Sequence, residues 1–214
     1  MNHIYIYIVG AIIFSFIPYI RSITGTIHTL IHESGHAFAA LVTSGKVYSI
    51  SLFANREGVA HTGSRSWLSS MIISYSGYTF ASIVSFLSFY LITNEKIIIL
   101  FYAFVSLALI NLLLWVRNIF GVIWISLYLG GCALLIYYQL WFIKEVVVYL
   151  LSSVILVQSV FASFAILVLS MKNTPKAGDA LLLQKLTYIP SFFWGLLFFS
   201  QSLFSTYCIF RFLL

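Results

Sequence analysis

Charged residues are scarce in this 214-residue chain, and acidic residues are the scarcest of them. Only 7% of the residues are charged, five are acidic, and Asp179 is the single aspartate. A soluble domain carries about a quarter charged residues. Hydrophobic residues make up 62% of the chain, and the mean hydropathy is +1.05. The composition therefore excludes a soluble fold and predicts a protein embedded in lipid.

Cysteines and basic clusters are also few. Cys132 and Cys208 both fall in apolar runs, so they indicate neither a disulfide framework nor a CxxC metal motif. The net charge of +6 comes without a basic cluster interleaved with aromatic side chains, and no nucleic-acid partner is expected. No lysine or arginine precedes the first apolar run, which favours a retained membrane anchor over a cleaved signal peptide.

Apolar runs long enough to cross a bilayer recur along the chain. A spanning helix needs about 17 to 25 mostly apolar residues. Such runs predict about seven transmembrane helices, near residues 4–20, 23–43, 67–92, 97–116, 119–141, 146–170 and 189–213. Because Pro18 and Pro190 interrupt or bound two of the runs, six or eight helices are also compatible with the sequence. We expect an all-α polytopic membrane protein, with residues 1–214 forming a single transmembrane domain.

Basic residues are distributed unevenly between the two sides that this topology defines. The connections after the second, fourth and sixth spans hold seven of the eleven, namely Lys46, Arg56, Arg65, Arg117, Lys172, Lys176 and Lys185. The other side holds Arg21, Lys96, Lys144 and Arg211. The positive-inside rule then places the first side in the cytoplasm.

The connection after the second span changes its periodicity. In GKVYSISLFANREGVAHTGS, residues 45–64, apolar and polar residues alternate before the turn-like sequence Asn55-Arg56-Glu57-Gly58. A second short alternating run follows this turn. The pattern predicts a hairpin-like β element in an otherwise helical protein.

The stretch TLIHESGHAFAALV, residues 29–42, places three ionisable groups inside the second predicted span. Each of them is costly to place in hydrocarbon. At about 100° per residue, one helix face collects the polar and small residues and the opposite face is apolar. The polar face comprises Gly25, His28, Thr29, His32, Glu33, His36 and Ala39. Turning this face into the bundle makes the polar groups tolerable, but it does not explain why they are present.

His32, Glu33 and His36 form an HExxH pattern, and this pattern has a chemical explanation. Two histidines one helical turn apart can reach a single metal ion, and the glutamate between them lies beside it as a general base. Zinc lowers the pKa of a bound water toward about 7 and polarises a carbonyl, while the glutamate carries the proton to the leaving amine. The pattern predicts a hydrolytic site with one Zn²⁺ per chain.

A catalytic zinc site also needs a third protein ligand. His28 is on the right helix face but about 12 Å from His36 along the axis, so three imidazoles would not converge. A lone histidine in a span more often bonds between helices, and His28 and His61 keep that interpretation. His61 is nonetheless an alternative third ligand. Asp179 is the favoured third ligand. Four predicted spans separate the connection that carries it from the connection at residues 44–66, so both connections lie on the same side of the membrane. Asp179 could also have a role at a helix N-terminus.

These motifs together resemble the site-2 protease family of intramembrane zinc metalloproteases. The resemblance rests on IHESGHAFAAL, GKVYSISLF, EGVAHTG and the distant aspartate, over roughly residues 24–80 and 171–200. It is strongest to compact bacterial members without a PDZ or CBS domain. Family members commonly show Asn-x-x-Pro several residues before Asp-Gly. The stretch NTPKAGDA keeps Asn173, Pro175 and Asp179 at a shorter spacing and has Ala180 in place of the glycine.

The resemblance implies that His32, His36 and Asp179 bind zinc and that Glu33 is the base. It also implies a β element that presents an edge to a membrane-embedded peptide substrate, although a plain surface hairpin is equally compatible with the sequence. We therefore expect a multi-pass zinc endopeptidase of the bacterial cell membrane, with its active site nearer the cytoplasmic side.

Two other functions fit a zinc site in a membrane protein. One is a zinc-binding transporter, which would need further polar groups stepping through other spans. Only scattered ones occur, at Asn111, Gln139, Gln158 and Gln201. The other is a non-hydrolytic metal-binding accessory protein, which would not need the glutamate of the HExxH pattern.

Overall fold

A computed structural model describes residues 4–214, which form eight α-helices and a two-stranded antiparallel sheet. The helices are α1 (Ile4–Phe16), α2 (Pro18–Val42), α3 (Trp67–Thr93), α4 (Ile97–Leu114), α5 (Ile119–Tyr137), α6 (Trp141–Lys172), α7 (Gly178–Thr187) and α8 (Ser191–Cys208). The strands are β1 (Lys46–Leu52) and β2 (Gly58–Gly63), and a short 3₁₀ turn (Thr174–Lys176) precedes α7. The predicted helical membrane class with a β hairpin is confirmed. Residues 1–3, which precede the first predicted span, lie outside the described residues.

Five helices are long and apolar enough to cross a membrane: α3, α4, α5, α6, and α8 with its continuation to Leu213. α1 and α2 meet the same requirement only together, as a pair bent by 116°. The count is therefore five or six where the sequence predicted about seven. α1 has 13 residues and is about 20 Å long, which is shorter than the hydrocarbon core of about 30 Å.

The bend between α1 and α2 occurs at Ile17, directly before Pro18. Proline disfavours helical backbone in the residue that precedes it, and Ile17 is extended, with φ −90° and ψ 112°. Proline is well suited to the first position of a helix, where its missing N–H is not needed, and α2 begins at this residue. The break thus falls several residues before the predicted boundary between residues 20 and 23.

α2 packs closely against α3 because glycines lie at their contact. A Cβ atom on Gly35 would come within 2.7 Å of the Phe80 Cβ and 2.9 Å of the Ser76 carbonyl oxygen. Close approach of this kind is how helices pack in lipid, where small residues replace large apolar ones at the interface. The same contact continues to the end of α2, where the Thr43 and Ser69 hydroxyls are 2.7 Å apart.

The outer edge of β1 is covered by the chain that links α4 to α5. The N–H of Ile50 donates to the Trp115 carbonyl at 2.8 Å, and the N–H of Arg117 donates to the Ile50 carbonyl at 3.3 Å. The Asn118 side chain extends this pairing by bonding both the N–H and the carbonyl of Leu52, at 3.0 and 2.6 Å. β1 is therefore hydrogen-bonded on both sides.

Within residues 4–214, the edge of β2 that faces away from β1 pairs with no other strand. Ile50 pairs with Ala60 and Leu52 pairs with Gly58 in the hairpin register. Because Ile50 and Leu52 direct their own backbone groups outward, both are non-hydrogen-bonded pairs of the antiparallel ladder. The N–H and carbonyl groups of Ala60 and Gly58 must then also point outward, along the opposite edge.

The hairpin runs back along α2, so its tip reaches the N-terminal half of that helix. The Thr29 hydroxyl donates to the Arg56 carbonyl at 2.9 Å, and the Ser22 hydroxyl bonds the Ala54 carbonyl. Arg56 therefore lies near Arg21, whereas the charge count had placed these two residues on opposite sides. Without them six basic residues remain on the predicted cytoplasmic side (7 − 1) and three on the other (4 − 1).

Candidate metal centre

α2 brings His32 and His36 together one helical turn apart. Their rings meet edge to face with centroids 4.7 Å apart, and their Nε2 atoms are 3.1 Å apart. Glu33 and His36 are buried, and His32 is partly buried. The polar face predicted from the sequence therefore turns into the bundle.

Asp179 reaches the two histidines from the first turn of α7. Its Oδ2 atom lies 3.2 Å from the His32 Nε2 and 3.3 Å from the His36 Nε2. The residue at the helix cap is Ala177, and no side-chain cap hydrogen bond forms there. The geometry thus brings Asp179 to the HExxH motif, while its place in the first turn also suits the helix dipole.

The three atoms have the spacing and the chemistry of a metal site. Donors bound to one tetrahedral zinc at about 2.0–2.1 Å lie about 3.3 Å from one another. The His36 Nδ1 donates to the Ile73 carbonyl at 2.7 Å, which leaves the lone pair of its Nε2 facing His32 and Asp179. Within residues 4–214 the Asp179 Oδ2 accepts no hydrogen bond although it is buried. Two imidazoles and a carboxylate facing one another in this way fit a divalent metal ion.

Two glycines make room for the cluster, a role that was not predicted from the sequence. A Cβ on Gly77 would come within 2.6 Å of the His36 Nε2 and 2.7 Å of the His32 Nε2. A Cβ on Gly58 would come within 2.5 Å of the Glu33 Oε1. The buried small residues Gly77, Ala81 and Ser85 recur every four residues on α3, and this spacing was the available signal for a close helix contact.

The cluster opens into a cavity of about 970 Å³. The polar face of α2 and the edge of β2 form one wall, and α6 and α7 form the other. Tyr78 of α3 closes the site beside the histidines, with its ring centroid 4.5 Å from that of His32. The backbone N–H of Ala60 faces the Glu33 carboxylate at the β2 edge. A ligand in this cavity would contact both the cluster of His32, His36 and Asp179 and the unpaired edge of β2.

The remaining histidine candidates lie apart from the cluster. His28 is buried and lines the cavity, but its ring centroid is 6.3 Å from that of His32, and it joins neither His36 nor Asp179. His61 is an exposed residue of β2 and is not among the residues that line the cavity. Among the described residues, the group able to hold a metal consists of His32, His36 and Asp179.

Comparison with known proteins assigns the family. The Peptidase M50B-like family model matches residues 5–209, nearly the whole chain. No curated protein and no solved structure matches the chain. The match covers the HExxH helix, the hairpin and the segment that carries Asp179. The chain therefore belongs to the Peptidase M50B-like family, which is the site-2 protease family of membrane metalloproteases.

Proposed function

We propose that this protein is a zinc-dependent endopeptidase that hydrolyses a peptide bond in a membrane-embedded segment of its substrate. His32, His36 and Asp179 would hold the zinc ion, and Glu33 would be the general base. The observation that carries the proposal is the convergence of the three donor atoms within 3.3 Å of one another, beside a cavity and a free strand edge.

Bound zinc would supply Lewis-acid polarisation of the substrate carbonyl and a water whose pKa is lowered toward about 7. Glu33 lies three residues before His36 on α2, on the same side of the helix, so its carboxylate lies beside the cluster and can accept a proton from that water. The backbone N–H of Ala60 faces this carboxylate. The Ile73 carbonyl accepts from the His36 Nδ1 and so fixes the tautomer of His36.

The free edge of β2 suits an unwound substrate. A transmembrane helix hides its peptide bonds in internal hydrogen bonds, and these must open before hydrolysis. The outward N–H and carbonyl groups of Gly58 and the outward carbonyl of Ala60 can replace them by adding the substrate as a strand. Because the same two residues border Glu33, a strand bound there would pass the base.

The family and the apolar helices make this an integral membrane protein, and the charge distribution supports an orientation. Both the hairpin and α7 follow helices that end on the side richer in lysine and arginine. We propose that the metal site lies nearer the cytoplasmic side of a bacterial cell membrane.

Three of the four polar residues that would serve a transporter have local partners instead. Asn111 donates to the Ser34 hydroxyl at 2.9 Å, and Gln158 donates to the Ser15 hydroxyl at 3.1 Å. Gln201 accepts from the Tyr75 and Thr79 hydroxyls at 3.2 and 3.1 Å. Pairs of this kind hold neighbouring helices together, so these residues give no support to an ion path.

The decisive experiment compares the wild-type protein with Glu33→Gln in detergent on a membrane-peptide substrate. The variant should retain about one zinc per chain, since none of the three proposed ligands changes, and should lose about 10²- to 10⁴-fold in turnover. Zinc content is measured by metal analysis and cleavage by mass spectrometry. Glu95→Gln is the matched control, because Glu95 is an exposed carboxylate in the connection between α3 and α4.

Undiminished cleavage by Glu33→Gln would contradict a protease mechanism at this site. Zinc bound without any cleavage in the wild type would favour the transporter or accessory function. Loss of zinc in Glu33→Gln would show that the glutamate is a ligand rather than the base.

A further inference from the structure

Two arginines lie side by side at the end of the cavity that is remote from the metal cluster. Arg21 precedes Gly25 by one turn of α2, so both residues lie on the same helix face. The Arg56 side chain crosses this face, and a Cβ on Gly25 would come within 2.6 Å of its Cδ. Both arginines line the cavity that also contains His32, Glu33 and Asp179.

The hairpin tip is fastened so that Arg56 is held in this place. Its carbonyl accepts from the Thr29 hydroxyl at 2.9 Å, and its N–H donates to the Phe53 carbonyl at 3.0 Å. Its backbone has a positive φ of 70°, which is uncommon for a residue other than glycine. The tip therefore has a defined backbone conformation that holds the Arg56 side chain over Gly25, one turn from Arg21.

Neither guanidinium has an acidic partner in the described part of the chain. Ion pairs within 4.0 Å join Asp179 to the two histidines and do not reach Arg21 or Arg56. Glu57 also lines the cavity but stays beyond that distance from both arginines. Burial and the nearby Arg21 guanidinium lower the pKa of Arg56. Two like charges held together at the end of a cavity are stabilised by an anion placed between them.

The position of the arginines fixes where that anion would lie along a bound peptide. Gly25 and Glu33 are eight residues apart on α2, which is about 12 Å along the axis. An extended strand rises about 3.3 Å per residue, so this distance corresponds to three or four residues. A strand added to the β2 edge beyond Gly58 would reach the two arginines at this spacing.

We propose that Arg21 and Arg56 bind a carboxylate of the substrate, three or four residues from the bond that is cleaved. This inference rests on the proposed function and adds a preference for one acidic group in an otherwise apolar substrate segment. A guanidinium suits this task because its planar donors match a carboxylate in a two-pronged hydrogen bond. The carboxylate is either an aspartate or glutamate side chain or the C-terminus of the peptide.

The test measures binding separately from cleavage. Fluorescently labelled, C-terminally amidated apolar peptides carry a single aspartate at successive positions, with asparagine at the same position as reference. Their affinities are measured for Glu33→Gln protein in zwitterionic detergent. We expect one position, three or four residues from the bond that the wild type cleaves, to favour aspartate by about tenfold. A peptide that ends at that position with a free carboxylate distinguishes the C-terminus from a side chain.

Substitution of the arginines tests whether they cause the preference for aspartate over asparagine. Arg56→Gln and Arg21→Gln, each made in the Glu33→Gln background, should reduce the aspartate-to-asparagine ratio toward one. Arg65→Gln is the matched control, because Arg65 is exposed and does not line the cavity. Higher salt should weaken the preference, since it screens charges that are open to solvent.

Equal affinities for all aspartate and asparagine peptides would overturn the inference, as would a preference that survives both arginine substitutions. Selective binding of anionic lipid vesicles, lost in the arginine variants while the peptide ratio stays at one, would assign the pair to lipid phosphate and also overturn it. If the wild type cleaves no peptide, the proposed function fails. The aspartate-to-asparagine affinity ratios still test whether the two arginines bind a carboxylate. In that case crosslinking identifies the peptide residue nearest Gly58, and the position of the aspartate is counted from that residue.

Discussion

α2 and α5 are both membrane helices, but they place their polar and apolar residues in opposite ways. α2 has 13 buried residues among its 25, and these include His28, Glu33 and His36. α5 has 19 residues, of which Gly121, Ile125 and Cys132 are buried, and large apolar side chains such as Leu127 and Leu134 are exposed. The helix with the ionisable groups is thus the inner one, and the most apolar surface faces outward.

This contrast follows from the solvent. Lipid tails are as apolar as leucine, so burying an apolar side chain between helices gains little over leaving it in lipid. An ionisable group gains a great deal by turning inward, where partners are available. Substitutions near the polar cluster should therefore change zinc binding or stability more than substitutions on an outer helix or at a weaker contact.

The largest effect is expected for the histidines. His32→Ala or His36→Ala leaves two proposed ligands, so zinc affinity should fall by more than about 100-fold and cleavage should be lost. Leu134→Ala on α5 is the control, because this side chain is 58% exposed and should leave the zinc content unchanged. Metal analysis after dialysis measures both. Full zinc content in either histidine variant would remove the proposed site.

The next largest effect is expected for Asp179, and two substitutions distinguish a role as zinc ligand from a role at the helix end. Asp179→Asn should weaken zinc binding about 10- to 100-fold, because an amide lacks the charge of a carboxylate, and Asp179→Ala should be more damaging. A helix-end role alone would let asparagine substitute with little loss. Competition with a zinc chelator gives the affinities. Zinc affinity should also fall in acid, since both the carboxylate and the imidazoles must be unprotonated to bind.

Gly77→Ala should have a smaller but clear effect. The added Cβ meets the Nε2 atoms of both histidines at 2.6 and 2.7 Å, so one ring must move and zinc affinity should fall about tenfold. Gly130→Ala is the matched control on α5, where no atom lies within 4 Å of an added Cβ. Chelator competition should separate the two variants. Unchanged affinity in Gly77→Ala would show that the histidines do not depend on this close contact.

The smallest effect is expected for the hydrogen bond between Ser34 and Asn111. Asn111 also donates to the Leu107 carbonyl at 2.9 Å, so it keeps one partner when Ser34 is replaced. A double-mutant cycle with Ser34→Ala and Asn111→Ala should give a coupling of about 0.6 kcal/mol, typical of polar contacts between membrane helices. Unfolding in mixed detergent measures it. A coupling of several kcal/mol would mean that polar contacts between helices away from the His32, His36 and Asp179 cluster matter as much as the cluster itself.

Much of the fold could be predicted because its signals are local in the chain. The scarcity of charge indicated a membrane protein, and the period change in residues 45–64 indicated the hairpin, which the structure contains at β1 and β2. The helical period set His32, Glu33 and His36 on one face, and this face is indeed turned inward. The predicted number of about seven spans was compatible but not exact, because the bend before Pro18 leaves α1 too short to cross the bilayer by itself.

The sequence by itself determined the membrane class, the polar helix face and the residue types of the candidate metal site, because each depends on composition or on spacing along one element. Only the tertiary structure decided that Asp179 rather than His61 meets the two histidines, that β2 rather than β1 has the free edge, and that Gly77 makes room for the cluster. It also decided that Arg21 and Arg56 lie together. These are contacts between residues that are 35 to about 147 positions apart, and their distances depend on how the helices pack rather than on any pattern within one helix or strand.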